Sequence, residues 1–206
     1  MHKNSKIIFV NGKIGGGSPP KGAPYWNGLK GIFVQKAIHY FNTDNIYFTD
    51  QDYSYLSSAY KRRKDGYQYG IHYLKKITDT IPASNVHFKI ITHSMGAAYS
   101  EGIIDALKAN HYAVDEILHL NPFQAADIQS NKNGVNGIET HVIDFQNTND
   151  LLINNPFRSS PGDIKNADKK IRIKSPLGWL YVHRSPITQA EEFWSLLQTM
   201  LKHQVQ

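Results

Sequence analysis

The 206-residue chain contains no cysteine, and this absence removes several kinds of site. Without thiols there is no disulfide bridge, no thiolate metal site and no cysteine nucleophile. A metal site built on histidine also lacks support, because the ten histidines include no i, i+4 pair and no His-Glu-x-x-His pattern. We therefore expect neither a metal nor any other cofactor.

Long apolar runs are missing too. No stretch is long enough to span a bilayer, and residues 1–6 lead straight into a predicted strand without the pattern of a secretory signal. We expect a soluble protein that is cytoplasmic or exported by a signal-independent route. The length predicts a single domain covering residues 1–206.

The charge is moderately positive, with a formal net charge of +6. Basic residues cluster at 61–64 and 169–174, and solvated faces account for them. The alternative is attraction to an anionic membrane surface or to nucleic acid. The chain does not interleave aromatic and basic residues as single-strand binders do, which argues against nucleic acid.

Short apolar segments rich in β-branched residues alternate with segments of helical spacing. The predicted strands are 6–10, 45–48, 86–91, 116–120 and 140–145. The alternation predicts an α/β fold whose mostly parallel sheet carries helices on both faces. The predicted spatial order is 45–48, 6–10, 86–91, 116–120, 140–145.

Helices are predicted between these strands and after them. One spans 26–41; another places Tyr67, Gly70, Ile71, Leu74 and Ile77 on one face; a third runs from Gly96 to a stop at Asn110. The last helix is predicted to start with Ser185 as its cap and Pro186 in its first position, with an apolar stripe of Phe193, Leu196, Leu197, Met200 and Leu201. Residues 154–170 are expected to be irregular, and 170–182 to hold two short extended stretches.

The central stretch reads Thr92-His93-Ser94-Met95-Gly96 and joins a predicted strand directly to a predicted helix. Such a turn forces the residue at its tip into a strained backbone conformation and raises its side chain above the sheet edge. The N–H groups of the following helix then point at whatever that side chain attacks. The other reading of Ser94 is a helix cap within a tight turn.

This stretch resembles the nucleophile elbow Gly-x-Ser-x-Gly of the α/β-hydrolase superfamily, in its lipase-like form. His93 to Gly96 match that form, whereas Thr92 replaces the usual glycine. The resemblance implies that Ser94 is a nucleophile, with the N–H of Met95 as one oxyanion donor. A second donor is implied after the first strand, and we expect the N–H of Gly12 or Lys13.

A serine nucleophile needs a base, and the base needs an orienting acid. In the family the order is Ser, acid, His, and His183 stands where the family places its base, just before the last helix. His119 and His141 lie inside predicted strands, and His203 lies at the C-terminus. The resemblance places the acid at Asp150, with Asp144 in reserve. His93 is expected to pack and to form hydrogen bonds.

The glycines within 11–20 do not form a nucleotide loop, because Gly-Lys-Ser/Thr is absent and Pro19-Pro20 follow. The resemblance implies a serine esterase or lipase that cleaves carboxylic esters, with lipid or small acyl esters as substrates, through an acyl-enzyme. Two alternatives stay open at this point. One is an inactive hydrolase-fold binding module, which Thr92 favours; the other is a binder of anionic surfaces.

Overall fold

The structure is a computed structural model that describes residues 4–13, 21–27, 31–156 and 160–202. Its strands are β1 (Asn4–Val10), β2 (Ile46–Thr49), β3 (Val86–His93), β4 (Ala113–Leu120), β5 (His141–Asn147) and β6 (Lys169–Ile173). Its α-helices are α1 (Ala23–Asn27), α2 (Phe33–Phe41), α3 (Ala59–His72), α4 (Leu74–Thr78), α5 (Gly96–Ala109), α6 (Trp179–Val182), α7 (Ser185–Thr188) and α8 (Ala190–Lys202). Short 3₁₀ turns occur at Ala83–Asn85 and Ala125–Asp127.

All six strands run parallel in the order β2-β1-β3-β4-β5-β6. This confirms the α/β fold class and the predicted order of the first five strands. The prediction of two extended stretches in 170–182 is wrong for the second, which forms α6. The first is β6, which pairs Ile171 with Phe145 and so covers the free edge of β5.

Helices cover both faces of the sheet, so successive strand residues are buried on opposite sides. In β1, Ile7 and Phe9 pack into one apolar cluster with residues of α2 and α8, whereas Ile8 and Val10 join a second cluster with residues of α5. Burial on both faces explains why these strands read as continuous apolar runs rather than as alternating ones. No helix within the described ranges is long and apolar enough to cross a bilayer.

The predicted helix 26–41 is wrong as a single element, because the chain forms α1 and α2 instead. Gly31, at φ +67°, adopts a left-handed conformation between the two helices, which suits glycine. Leu29, which the prediction included, lies outside the described residues.

The predicted face of the 67–77 segment is right only in part. Gly70 and Ile77 are buried, but Tyr67 and Ile71 are exposed, and the segment forms α3 and α4 rather than one helix. The buried residues of α3 are Ala59, Arg62, Gly66 and Gly70. The apolar pattern is misleading here because glycines bring the backbones of α3 and α5 into direct contact. The helix is also longer at its start than predicted, and Ser58 caps it by accepting a hydrogen bond from Lys61 N–H.

The last predicted helix is interrupted at Gln189 and forms α7 and α8. Pro186 lies in the first turn as predicted, but the N-cap is Arg184. Ser185 does not cap the helix, because its hydroxyl accepts a hydrogen bond from Asn147 Nδ2 at 3.0 Å. In α8, Phe193 and Leu197 are buried as the stripe predicts, and the side chain of Leu201 lies outside the description.

Candidate active site

Ser94 lies at the tip of a sharp turn between β3 and α5. Its φ is +55°, a left-handed conformation that costs a serine roughly 1–2 kcal/mol and holds the side chain at the carboxyl edge of the sheet. Gly96 is required for this geometry, because a Cβ there would lie 2.4 Å from the carbonyl oxygen of Asn11. The backbone therefore has the strand–turn–helix form that the sequence predicted.

The side chain of Thr92 forms a buried hydrogen-bonded chain beneath this turn. Its hydroxyl lies 2.8 Å from His119 Nδ1, and His119 Nε2 lies 3.2 Å from Glu101 Oε1 on α5. Ser130 also donates to that carboxylate at 2.6 Å. Thr92 and His119 are register partners on β3 and β4, so a hydroxyl at position 92 ties the two strands to the helix that follows Ser94.

His183 and Asp150 come together at the same edge of the sheet. His183 Nδ1 lies 2.6 Å from Asp150 Oδ2. A carboxylate only accepts, so Nδ1 carries the proton and a neutral imidazole keeps Nε2 as an acceptor. Asp150 is fully buried, and its other oxygen accepts from Leu152 N–H at 2.9 Å, which fixes the carboxylate plane.

Asp144, the alternative acid, forms its hydrogen bonds with other residues. Its Oδ2 accepts from Arg172 at 2.6 Å and from Ile164 N–H at 3.1 Å, and Gln146 donates to both of its oxygens. Among the histidines set aside, His119 is buried beneath the turn, His141 is exposed at the start of β5, and His203 lies outside the described residues. The geometry thus brings His183 to Asp150 and not to Asp144.

The predicted oxyanion donors Met95, Gly12 and Lys13 differ in the hydrogen bonds that their N–H groups already form. Met95 is the N-cap residue of α5, where backbone N–H groups have no partner in the helix's own ladder. Gly12 approaches Ser94 so closely that a Cβ on it would lie 2.9 Å from Ser94 Cβ. However, the Gly12 N–H donates to the hydroxyl of Tyr25 at 2.9 Å. Lys13 N–H is therefore the better of the two alternatives after β1.

His93 and His183 lie side by side, with ring centroids 4.7 Å apart. His93 Nε2 lies 2.9 Å from the carbonyl oxygen of His183, and His93 Nδ1 lies 2.6 Å from the Tyr25 hydroxyl. A direct Ser94–His183 hydrogen bond is not among those that the described residues form, and this contact stays a prediction. Catalytic hydrogen bonds often tighten only when substrate is bound.

Electrostatics around this cluster keep its inner members uncharged. Burial, with the His183 imidazole beside it, holds the pKa of His93 well below the usual 6.5. Burial raises the pKa of Tyr25 to about 12, although the nearby Arg184 acts in the opposite direction. Arg184 lies with its guanidinium 4.8 Å from the Tyr25 ring centroid.

Sequence reasoning missed the buried residues that surround His183, chiefly Tyr25, Asn121 and Asn147. Asn121 Nδ2 donates to the His183 carbonyl at 2.9 Å, and Asn147 Nδ2 reaches Ser185. A signal was present, because Asn11, Asn121 and Asn147 each stand at the carboxyl end of an apolar strand. Side chains at those ends meet at one edge of a parallel sheet. The described residues hold no group of three or more metal-ligating side chains that could bind an ion.

No family model matches the chain, and no curated protein sequence does. Among solved structures, an uncharacterised protein from Bacillus cereus ATCC 10987 is similar over 98% of this chain, at 14% identity and a TM-score of 0.52. The chain spans 59% of that protein's length. A proposed hydrolase of the alpha/beta superfamily from Xanthomonas campestris pv. campestris aligns with 95% of this chain and 99% of its own, at 13% identity and a TM-score of 0.48. At such identities the likeness concerns the fold alone.

Proposed function

We propose that the protein is a serine hydrolase of the α/β-hydrolase type that cleaves carboxylic esters. The observation that carries the proposal is the 2.6 Å hydrogen bond between His183 Nδ1 and the buried Asp150 carboxylate, at the sheet edge where Ser94 stands on its strained turn. This arrangement supplies a nucleophile, a base with a bare Nε2 and an acid that orients the base.

In the proposed reaction, His183 Nε2 takes the proton of the Ser94 hydroxyl as Oγ attacks the ester carbonyl carbon. The N–H groups of Met95 and Lys13 stabilise the oxyanion, at roughly 3 kcal/mol for each donor. The intermediate collapses, and the imidazolium passes its proton to the departing alkoxide. Water, deprotonated by His183, then attacks the acyl-enzyme and frees the acid and Ser94.

Exposed apolar side chains favour acyl or lipid esters as substrates. Leu151 and Leu152 follow Asp150 directly and are 57% and 51% exposed, and Tyr181, two residues before His183, is 70% exposed. Tyr55 belongs to the segment after β2, and the Lys13 ammonium lies 4.7 Å from its ring centroid. Apolar surface on the segments that carry Asp150 and His183 suits an acyl chain better than a charged substrate.

The test is a panel of p-nitrophenyl esters of increasing acyl length together with phospholipid esters, applied to the wild type and to Ser94→Ala. We expect hydrolysis by the wild type, highest for an acyl ester, and a loss of about 10⁴-fold or more in kcat for Ser94→Ala. Equal rates for the two proteins, or no hydrolysis by a folded wild type, would reject the proposal.

A further inference from the structure

The backbone of His183 lies outside the regular helices. It follows the four-residue helix α6 and precedes the equally short α7. Asp150 orients the ring through Nδ1, but a hydrogen bond at one ring atom leaves the position of the main chain free. The hydrogen bonds on the His183 carbonyl oxygen are therefore informative.

That carbonyl oxygen accepts two hydrogen bonds from buried side chains. Asn121 Nδ2 donates at 2.9 Å, and His93 Nε2 lies 2.9 Å away. A carbonyl only accepts, so His93 Nε2 must carry a hydrogen. His93 is the residue next to Ser94, and this bond thus links the nucleophile's own turn to the backbone of His183.

The tautomer of His93 then determines which of the neighbouring atoms donate hydrogen bonds and which accept them. With the hydrogen on Nε2, the neutral ring has a bare Nδ1, which accepts from the Tyr25 hydroxyl at 2.6 Å. The Tyr25 oxygen in turn accepts from Gly12 N–H at 2.9 Å. Burial lowers the pKa of His93 well below 6.5, so the ring stays neutral and this directional chain persists at neutral pH.

Tyr25 is also contacted by the residue that follows His183. Arg184, the next residue along the chain, donates to the Tyr25 carbonyl oxygen and places its guanidinium near the Tyr25 ring. Tyr25 and His93 are both buried, at 2% relative exposure each. Their hydroxyl and imidazole are costly to bury unless they form hydrogen bonds, and each has its partners here.

We propose that Tyr25 and His93 are positioning residues for the reaction: Tyr25 orients the His93 ring, and His93 holds the backbone of His183 so that its imidazole meets Ser94. The inference rests on the proposed function, which gives His183 its role as base. Neither residue touches the reacting atoms. Both act through His183. The same hydrogen bonds occupy Gly12 N–H, so this group does not donate to the oxyanion.

Three substitutions test the roles of His93 and Tyr25 separately. His93→Gln keeps an amide donor near the position of Nε2, whereas the shorter His93→Asn reaches only the position of Nδ1. Tyr25→Phe removes one oxygen from an otherwise similar ring. With a p-nitrophenyl ester that the wild type cleaves, we expect His93→Asn and Tyr25→Phe each to lower kcat by about tenfold or more with little change in KM, because a displaced base slows chemistry and not binding.

His93→Gln should restore most of the kcat that His93→Asn loses. Adding Tyr25→Phe to His93→Asn should cost no more, because the link to His183 is already broken. Wild-type kcat in His93→Asn, or equal losses in the Gln and Asn variants, would overturn the proposal while hydrolysis by the wild type left the proposed function standing. Thermal melting of each variant identifies any that fails to fold.

A second measurement needs no activity. Long-range ¹H–¹⁵N spectra of the histidine rings distinguish the two neutral tautomers and the imidazolium. We expect His93 as the neutral Nε2–H tautomer from pH 7.5 down to below pH 6, with a shift at Nδ1 in Tyr25→Phe. An Nδ1–H tautomer, or a charged His93 near pH 6.5, would leave the His183 carbonyl without the proposed orientation and overturn the inference, even if the wild type cleaved no ester.

Discussion

The two buried aspartates near the end of β5 differ in what they bind. Asp150 accepts from His183, whereas Asp144 accepts from Arg172, Gln146 and Ile164. Their sequence positions, six residues apart, favour Asp150 only through the family resemblance. Their partners distinguish them: Asp150 orients the His183 imidazole, whereas Asp144 neutralises the Arg172 guanidinium.

Asp150→Asn should therefore lower kcat by about 10³- to 10⁴-fold, because an amide in place of the carboxylate no longer stabilises the imidazolium. Asp144→Asn should instead reduce stability, by about 3 kcal/mol, because Arg172 loses its buried partner. Ester kinetics and urea unfolding of both variants measure the two effects. A folded Asp150→Asn protein with full activity, beside an inactive Asp144→Asn protein, would move the acid to Asp144.

The elbow motif and the family resemblance pointed to Ser94, Asp150 and His183 as site residues, a prediction still to be tested, but neither indicated the hydrogen bonds behind them. Thr92 departs from the glycine of the elbow pattern, and its hydroxyl is hydrogen-bonded to His119, 27 positions away. Tyr25 lies 68 positions from His93, and Asn121 lies 62 from His183. Partners at such separations leave no local pattern, because only the fold brings them together.

At the scale of elements, α3 and α5 pack backbone against backbone. Gly66 and Gly102 let the two backbones touch: a Cβ on Gly102 would lie 1.9 Å from the Arg63 carbonyl oxygen, and one on Gly66 would lie 1.9 Å from that of Tyr99. Helical spacing placed Tyr67 and Ile71 on one face with Gly70, but of these three only the glycine is buried. Spacing alone does not show that two helix backbones touch.

Gly102→Ala should consequently lower the free energy of unfolding by about 2–3 kcal/mol or more, because backbone atoms of α3 must move to admit the methyl group. Gly178→Ala is the matched control. A Cβ there meets nothing within 4 Å and its φ is −63°, so we expect a loss of no more than about 1 kcal/mol, from the weaker N-cap of α6 alone. Urea denaturation compares the two. An unchanged midpoint for Gly102→Ala would show that the helices are not in backbone contact.

At the scale of the whole molecule, the order of the first five strands was predictable, but the place of the sixth in the sheet was not. Apolar runs separated by helical segments imply right-handed crossovers in a parallel sheet, which allow few orders. Lys169–Ile173 reads as charged and exposed, because three of its five residues are basic. It joins the sheet as an edge strand, and the sequence pattern of an edge differs little from that of a loop.

The same parallel order gathers the ends of β1, β3 and β5 at one edge, and with them Gly12, Ser94 and Asp150. His183 arrives there from the segment between β6 and α8. We propose that this convergence makes the Ser94 hydroxyl nucleophilic through His183. A serine that only caps a helix would share the local sequence and the φ of Ser94, but its hydroxyl would not react.

Covalent labelling by a fluorophosphonate reagent, followed by intact-protein and peptide mass spectrometry, tests that claim most directly. We predict one adduct per wild-type chain, on Ser94, with no adduct on Ser94→Ala and labelling of His183→Ala slower by about 10³-fold or more. Circular dichroism confirms that each protein is folded. A folded wild type that takes up no reagent, or one whose labelling is undiminished by His183→Ala, would contradict the account.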